Sequence, residues 1–289
     1  MGEHSAKPDV LQEIFAVPKP IIGMVHSLPL PGAPRFKHHD LDDVYRFGVE
    51  EALRLKEGGV DGLLLENAGD IPFSKPEDIG HETVAAMSVL GKLIREETGL
   101  PLGIITVANG ALPSLAIAKA CGARFVRVNQ WVNAYIANEG FVEGISGRAA
   151  RYRSWIEAET VKIFADVHVK HGSHAIVADR PLSEQAKDAE FFDADVLIAT
   201  GYRTGDPTPV GEVQGIRQHV SLPVIVGSGL NVDNCRALLS VADGAILGSS
   251  IKEAGIMHSP VSVEKVQALI AVVREIRQEM SEAHSHSTD

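Results

Sequence analysis

The chain has 289 residues, of which 45% are hydrophobic and 22% charged, and this composition is typical of a globular protein that buries a large core. Its net charge of −11, from 27 basic and 38 acidic residues without a basic stripe, argues against a general binder of nucleic acid or anionic membranes. No run of about 18 apolar residues is present, which excludes a predicted membrane-spanning helix. Cys121 and Cys235 lie far apart and form neither a CxxC pair nor a disulfide framework, so we expect a cytoplasmic protein.

Eight short runs rich in Ile, Val and Leu alternate with amphipathic segments along the chain. Each run is short enough to be a strand that is buried on both faces. The predicted strands are 20–27, 61–67, 101–109, 124–130, 161–170, 195–201, 223–229 and 243–250. The predicted helices are 42–57, 79–97, 112–123, 147–159, 182–192, 210–219, 231–240 and 262–280.

Strands that alternate with helices indicate a parallel sheet with right-handed crossovers. Eight such units in about 250 residues predict a closed α/β (β/α)₈ TIM barrel, with an open doubly wound sheet as the alternative. The barrel would be a single domain over residues 20–280. Residues 1–19 would form an N-terminal extension with the barrel floor as its candidate position, and residues 281–289 a disordered tail.

In this fold the active site lies at the carboxyl ends of the strands, which turns the sequence into a set of candidates. We expect proton-transfer roles for His26, Glu66, Asp166 and His168. We expect substrate binding by Asn67, Arg127, Asn129, Lys170 and Thr200. Any one of these polar residues could equally mark the end of a strand, but together they would converge on one rim.

Charge and alternation refine this set. Asp166, His168 and Lys170 share one parity in the fifth predicted strand, so they are expected to face the same way. Arg127, in the neighbouring fourth strand, would partly offset the buried charge of Asp166. Lys170 lies just past the strand, where we expect too little desolvation to activate it for Schiff-base chemistry.

The strongest local signal is a pair of glycine–serine corners after the seventh and eighth predicted strands. Gly227, Ser228 and Gly229 form one, and Gly248, Ser249 and Ser250 form the other. Glycine lets the backbone approach a ligand, and barrels often hold phosphate at these two loops. We therefore predict phosphate binding, with simple tight turns as the alternative reading.

The sequence gives a weaker indication of a cofactor than of a phosphate site. His26, Glu66, Asp166 and His168 are compatible with a divalent metal ion, but hydrogen bonding explains the same residues. We predict no cofactor and no metal ligands. No GxGxxG follows a strand, which argues against hydride transfer from a dinucleotide.

Three long connections are predicted to be functional. Segments 27–40 and 67–83 would be lids over the mouth of the barrel. Segment 129–144 carries Trp131 and Tyr135, which would either stack on a base or sugar or pack the loop itself.

Several motifs together resemble the BtpA/SgcQ family over about residues 18–275. They are MVHSLPLPG (24–32), ENAGD (66–70), RVNQWVNAY (127–135), ADVHVKHG (165–172), TGYRTGDPT (200–208) and VIVGSGLNVDN (224–234). The resemblance implies a phosphate-binding TIM barrel like the ribulose-phosphate-binding barrels. One branch of the family is named for photosystem I biogenesis, and another is labelled a nucleosidase. Within the matching motifs, His26, Glu66, Asn67, Asp166 and His168 carry over as site residues.

These observations predict an enzyme that acts on a phosphorylated sugar or nucleoside-like small molecule, as a nucleosidase or as a sugar-phosphate lyase or isomerase. The alternative is a non-catalytic assembly or stability factor of the photosystem I biogenesis type. The partner of the predicted enzyme would be a phosphorylated small molecule rather than nucleic acid or a membrane. A homo-oligomer is expected, because barrels commonly self-associate through their outer helices.

Overall fold

The computed structural model of the chain describes residues 9–38, 40–201, 203, 205–255 and 259–286, without the side chains of residues 38 and 284–286. Its strands are β1 (Ile21–His26), β2 (Gly62–Glu66), β3 (Leu102–Ile105), β4 (Phe125–Val128), β5 (Ala134–Ala137), β6 (Gly140–Glu143), β7 (Lys162–Asp166), β8 (Val196–Ala199), β9 (Val224–Val226) and β10 (Ala245–Leu247). Its α-helices are α1 (Val10–Phe15), α2 (Leu41–Gly58), α3 (His81–Thr98), α4 (Ala111–Cys121), α5 (Ser146–Trp155), α6 (Leu182–Phe191), α7 (Val210–Arg217), α8 (Cys235–Val241) and α9 (Val263–His286).

Eight of the strands form a closed parallel barrel in the order β1-β10-β9-β8-β7-β4-β3-β2. The ring closes where β1 pairs with β10, for example at Ile22 and Ile246. This pairing confirms the predicted (β/α)₈ barrel and excludes the open doubly wound sheet, which would leave two free edges.

Alternation along each strand sorts the side chains into an inner and an outer shell. In β2, Leu63 and Leu65 pack outward against the helices, whereas Leu64 joins the inner cluster with Phe164 and Ile225. In β1, a Cβ atom added to Gly23 would lie 2.7 Å from Leu55, so glycine allows α2 to pack closely against the strand. The lower interior is thus filled with apolar side chains, and polar side chains occur at the carboxyl ends.

The amino-terminal segment covers the opposite end of the barrel. Val10, Leu11, Ile14 and Phe15 of α1 are buried, and Phe15 packs edge-on against Phe125 with ring centroids 5.8 Å apart. Phe125 in turn stacks on Phe164 at 4.3 Å. These aromatic rings fill the floor of the barrel, because Phe125 is the first residue of β4.

Some boundaries differ from the sequence prediction. Segment 129–144, predicted as a loop, contains the antiparallel hairpin β5–β6. Helix α8 begins at Cys235 rather than at 231, because Asn231 and Asn234 form a turn through side-chain hydrogen bonds to backbone N–H groups. Helix α9 continues to His286, beyond the predicted start of the tail, and residues 287–289 lie outside the described part. Over the described residues, no helix combines the length and apolar character that crossing a bilayer requires.

Candidate active site

A cavity of about 340 Å³ opens at the carboxyl end of the barrel, within the size range of small-molecule sites. Eleven of the residues predicted from the sequence line it: His26, Glu66, Arg127, Asn129, Lys170, Gly227, Ser228, Gly229, Gly248, Ser249 and Ser250. Four others lie outside its lining: Asn67, Asp166, His168 and Thr200. The barrel therefore gathers residues from six different strands into one site.

Glu66 and His26, both predicted to transfer protons, lie next to each other in the cavity lining. They are register partners at the ends of β2 and β1, and His26 Nε2 lies 3.4 Å from Glu66 Oε2. Burial raises the pKa of Glu66, although the positive charges of Arg127 and Lys170 oppose the shift. Glu66 therefore keeps its proton to a higher pH than an exposed glutamate does, which suits a general acid.

Asp166 is engaged by two neighbours on the inner surface of the barrel. Arg127 donates two hydrogen bonds to its carboxylate, at 3.1 and 2.9 Å, and Asn129 Nδ2 donates a third at 3.1 Å. The Asp166 side chain is 0% exposed. Burial acts to lower the pKa of Arg127, but the carboxylates of Asp166 and Glu66 together outweigh it, and the net shift is upward. This arrangement favours a role for Asp166 in orienting Arg127 and Asn129, which do line the cavity, over direct proton transfer.

The chain after β7 departs from the predicted alternation because the strand ends at Asp166. The ring of His168 packs on that of His174, with centroids 3.7 Å apart, and burial lowers the pKa of His168 to about 4. The lowered pKa favours a neutral His168 at pH 7, and the side chain lies outside the cavity lining.

The position of Lys170 differs from the one expected from the sequence. It lines the cavity, and burial together with the nearby Arg127 charge lowers the pKa of Lys170 to about 8. The prediction that this lysine lies too far out to be desolvated is therefore wrong. The backbone bend after Asp166 turns the side chain inward, and single-sequence alternation does not reveal such a bend.

The two glycine–serine corners lie together on one side of the cavity. The Ser250 hydroxyl donates to the Leu230 carbonyl at 2.7 Å, which joins the loop after β10 to the loop after β9. The Thr208 hydroxyl donates to the Ser228 carbonyl at 3.0 Å. Among the described residues, the backbone N–H groups of Ser228 and Gly229 donate no hydrogen bond, so they are available to an anion.

Close packing explains one glycine of these corners. Gly229 has φ +73°, and an added Cβ atom would lie 2.1 Å from the Asp206 carbonyl oxygen. The loop after β8 therefore presses directly on this corner, and Gly205 of the same loop lines the cavity.

Asn67 and Thr200 hold loops in place. The Asn67 side chain accepts from the Val107 N–H at 2.8 Å and donates to Asp70 at 2.9 Å. The Thr200 hydroxyl donates to the His168 carbonyl at 3.1 Å. These contacts connect neighbouring loops around the mouth.

The two predicted lid segments contribute unequally to the cavity lining. Segment 67–83 supplies Ala68, Ile71 and Phe73 to the cavity, whereas no described residue of 27–40 lines it. Leu30 in the latter is fully buried and its N–H donates to Asp70 at 2.8 Å. Segment 27–40 thus packs beneath its neighbour over the part that the structure describes.

Sequence reasoning missed the hairpin β5–β6 as a source of site residues. Its tip places Asn138 and Glu139 in the cavity lining, and Tyr135 lines the cavity while its ring stacks on His174 at 5.2 Å. Trp131 instead packs the loop, because its Nε1 donates to the Phe192 carbonyl at 2.9 Å. A signal was present, since Asn138–Glu139–Gly140 separates two short β-prone runs.

The described residues contain no group of three or more His, Cys, Asp or Glu side chains placed to hold a metal ion. The cavity lining combines two carboxyl groups, two imidazoles, one amine and one guanidinium with an anion-accepting corner; these side chains are Glu66, Glu139, His26, His171, Lys170 and Arg127. Such a set can bind a phosphorylated compound and move protons on it.

Comparison with known proteins gives a family match over most of the chain: the model of the BtpA family matches residues 17–275. An uncharacterized protein of Archaeoglobus fulgidus is 39% identical over 256 residues, covering 89% of this chain and 99% of its own length. The photosystem I biogenesis protein BtpA of Synechocystis is 33% identical over 272 residues, covering 92% of this chain and 91% of its own length.

Solved structures show the same fold at low sequence identity. Thiamine phosphate pyrophosphorylase from Pyrococcus furiosus has a TM-score of 0.52 and 19% identity, over 89% of this chain and 96% of that one. N-(5'-phosphoribosyl)anthranilate isomerase from the same organism has a TM-score of 0.53 and 12% identity, over 89% and 99%. The chain is thus a TIM barrel similar to the ribulose-phosphate-binding barrels.

Proposed function

The chain belongs to the BtpA family, and from its site we propose that it is an enzyme that acts on a phosphorylated sugar or nucleoside-like small molecule. One observation carries this proposal: a single cavity is lined both by the Glu66–His26 pair and by the two glycine–serine corners. A phosphate bound at the corners would hold the rest of the molecule against the acid–base pair. The fold is shared with phosphate-binding barrel enzymes, which is consistent with this assignment.

Lyase or isomerase chemistry on a sugar phosphate fits the geometry best. Those reactions need a proton carrier beside a carbonyl group, and Glu66 with His26 provides one. Glycosidic hydrolysis uses two carboxyl groups that flank the bond. Asp166 is engaged by Arg127 and Asn129, so it does not supply the second.

A nucleosidase is the second candidate, favoured by the apolar part of the cavity. Ile71, Phe73 and Val107 line it together with Tyr135, and such a surface suits a planar base. Glu139 at the hairpin tip would then supply the second carboxyl group.

Thermal unfolding with a ligand panel tests the proposal, because a ligand that binds the native state raises Tm. Triose, pentose and nucleoside monophosphates should each be compared with the same compound lacking phosphate. We expect stabilisation by at least one phosphorylated member and a weaker effect of its unphosphorylated form. No stabilisation across the panel would contradict the proposal.

A charge variant locates the binding site. Ser249→Asp places a carboxylate at the second corner and should abolish the phosphate-dependent stabilisation by like-charge repulsion. Ser262→Asp is the matched control: Ser262 accepts from the Lys265 N–H at the start of α9, a role that aspartate also fills. Equal losses in both variants would count against phosphate binding at the corner.

The assembly-factor alternative rests on a different part of the surface. Trp155 and Phe191, at the ends of α5 and α6, are 79% and 82% exposed, and large exposed aromatic side chains favour a protein contact. One relative is named a photosystem I biogenesis protein. Light scattering of the wild type against Trp155→Arg tests whether this surface joins copies of the chain into the expected homo-oligomer.

A further inference from the structure

Lys170 places its amine in the cavity. Among the residues that the structure describes, its ammonium group forms no hydrogen bond and no ion pair within 4.0 Å, although the carboxylates of Glu66, Asp166 and Asp206 are close enough to influence its charge. The side chain lines the cavity beside Arg127, a like charge. A lysine placed in this way is costly to keep charged.

Lys252 of the same chain shows the contrasting, structural arrangement. It is 0% exposed, and its ammonium donates to Glu51, whose other oxygen accepts from the Val261 N–H at 3.0 Å. That lysine is fully buried and has a counter-ion, as expected for a structural pair. Lys170 has no such ion pair with any described residue, and its side chain lines the space where a ligand would lie.

We propose that Lys170 is a nucleophile that forms a covalent imine with the carbonyl carbon of a phosphorylated aldehyde or ketone bound in this cavity. The inference rests on the proposed function, because the glycine–serine corners hold the phosphate of that compound. It also goes beyond it, since it assigns the substrate class a reactive carbonyl group and the reaction a covalent intermediate.

The step balances with groups that line the cavity. The neutral Lys170 Nζ adds its lone pair to the carbonyl carbon, and the electron pair of the C–O π bond moves to the oxygen. One proton then passes from the positively charged nitrogen to that oxygen, which gives a neutral carbinolamine. The protonated Glu66 carboxyl group then gives its proton to the carbinolamine hydroxyl, which leaves as water while the C–N double bond forms. The products are a protonated imine, one water molecule and the Glu66 carboxylate, and hydrolysis reverses the sequence.

The free amine needed for this attack is available at neutral pH. With a pKa lowered to about 8 from an ordinary 10.5, Lys170 is unprotonated at pH 7 roughly 300-fold more often than a surface lysine. A lysine that only bound phosphate would instead be expected to keep its positive charge at neutral pH. Arg127 is already present as a permanent cation in the same cavity.

Reductive trapping tests the proposal on the full chain. The protein is incubated at neutral pH with dihydroxyacetone phosphate, and separately with aldehyde and ketone phosphates of pentoses and hexoses, in the presence of sodium cyanoborohydride. Intact-mass and peptide mass spectrometry then locate the adduct. We expect one adduct per chain on Lys170, formed at least about ten-fold faster than on any other lysine, and slower with the sugars that lack phosphate.

Three variants make the result specific. Lys170→Met removes the amine and Lys170→Arg keeps a cation without a nucleophile, so both should lose the adduct, with folding checked by circular dichroism. Lys187→Met, on the exposed surface of α6, should leave the adduct unchanged. An adduct spread evenly over surface lysines, or none on Lys170 with any member of the panel, overturns the proposal. If phosphorylated compounds still raise Tm in that case, the proposed function stands; if they do not, it fails as well.

Discussion

Replacing Asp166 by asparagine removes the charge that neutralises Arg127 inside the barrel. Arg127 is 5% exposed and donates two hydrogen bonds to the lost carboxylate. The sequence alone predicts that Asp166→Asn abolishes turnover with folding intact. The structure predicts a loss of stability as well, because a buried guanidinium would remain without a counter-ion.

The expected loss is about 3–5 kcal/mol, the usual cost of removing one partner of a buried ion pair. With an unfolding entropy of about 2.1 cal/mol/K per residue over 289 residues, this corresponds to a fall in Tm of about 5–8 °C. Replacing both Arg127 and Asp166 with leucine should restore most of it, since no unpaired charge is left. A cycle of Asp166→Leu, Arg127→Leu and the double variant should therefore give a coupling energy above about 2 kcal/mol.

Urea unfolding followed by circular dichroism, together with calorimetry, measures these quantities. Glu279→Gln is the control, because Glu279 pairs with Arg236 at the surface and its loss should have no measurable effect. A loss below about 1 kcal/mol in Asp166→Asn, or a double variant no more stable than the single ones, would refute the view that this pair holds the cavity wall.

Three further predictions concern charged groups elsewhere. Lys170→Met should stabilise the protein by up to about 3 kcal/mol below pH 8. Urea titrations should show that this gain disappears as pH rises to 10.5, because Lys170 loses its proton at a lower pH in the native state than in the unfolded state. His168→Gln should reduce the loss of stability that occurs as pH falls from 6.5 to about 4. In this range the unfolded state binds a proton at His168 that the native state does not bind. Equal acid sensitivity of variant and wild type in calorimetry would contradict this. Glu51→Gln removes the counter-ion of Lys252 next to the second glycine–serine corner. It should lower the free energy of unfolding in urea by about 3–5 kcal/mol and weaken the phosphate-dependent stabilisation. Arg46→Gln, at the exposed surface, is the control.

The barrel could be predicted because each of its units carries the same signals. Apolar runs marked the strands. The predicted helices 42–57, 79–97 and 112–123 end within two residues of Gly59, Gly99 and Gly122, where the structure shows left-handed caps. The predicted pairing of charges between neighbouring strands is also present, since Arg127 of β4 donates two hydrogen bonds to Asp166 of β7. These features depend on local periodicity, which a single sequence contains.

The parts of the site that could not be predicted lie where periodicity ends. His168 and Lys170 share a parity, yet the strand stops at Asp166 and the following bends send one side chain to His174 and the other into the cavity. Asn138 and Glu139 reach the cavity only through the hairpin, whose strand β5 bridges Ser173 in the loop after β7. Such contacts between distant loops leave no periodic trace in the sequence.

The packed rings of Phe15, Phe125 and Phe164 decide how a ligand can reach the cavity. They close the floor of the barrel, so a molecule in the cavity over the described residues has the upper mouth as its way in and out. Under the proposed activity, product and substrate would use the same passage in turn. Accumulated product would then act as a competitive inhibitor, and turnover would slow as the reaction proceeds.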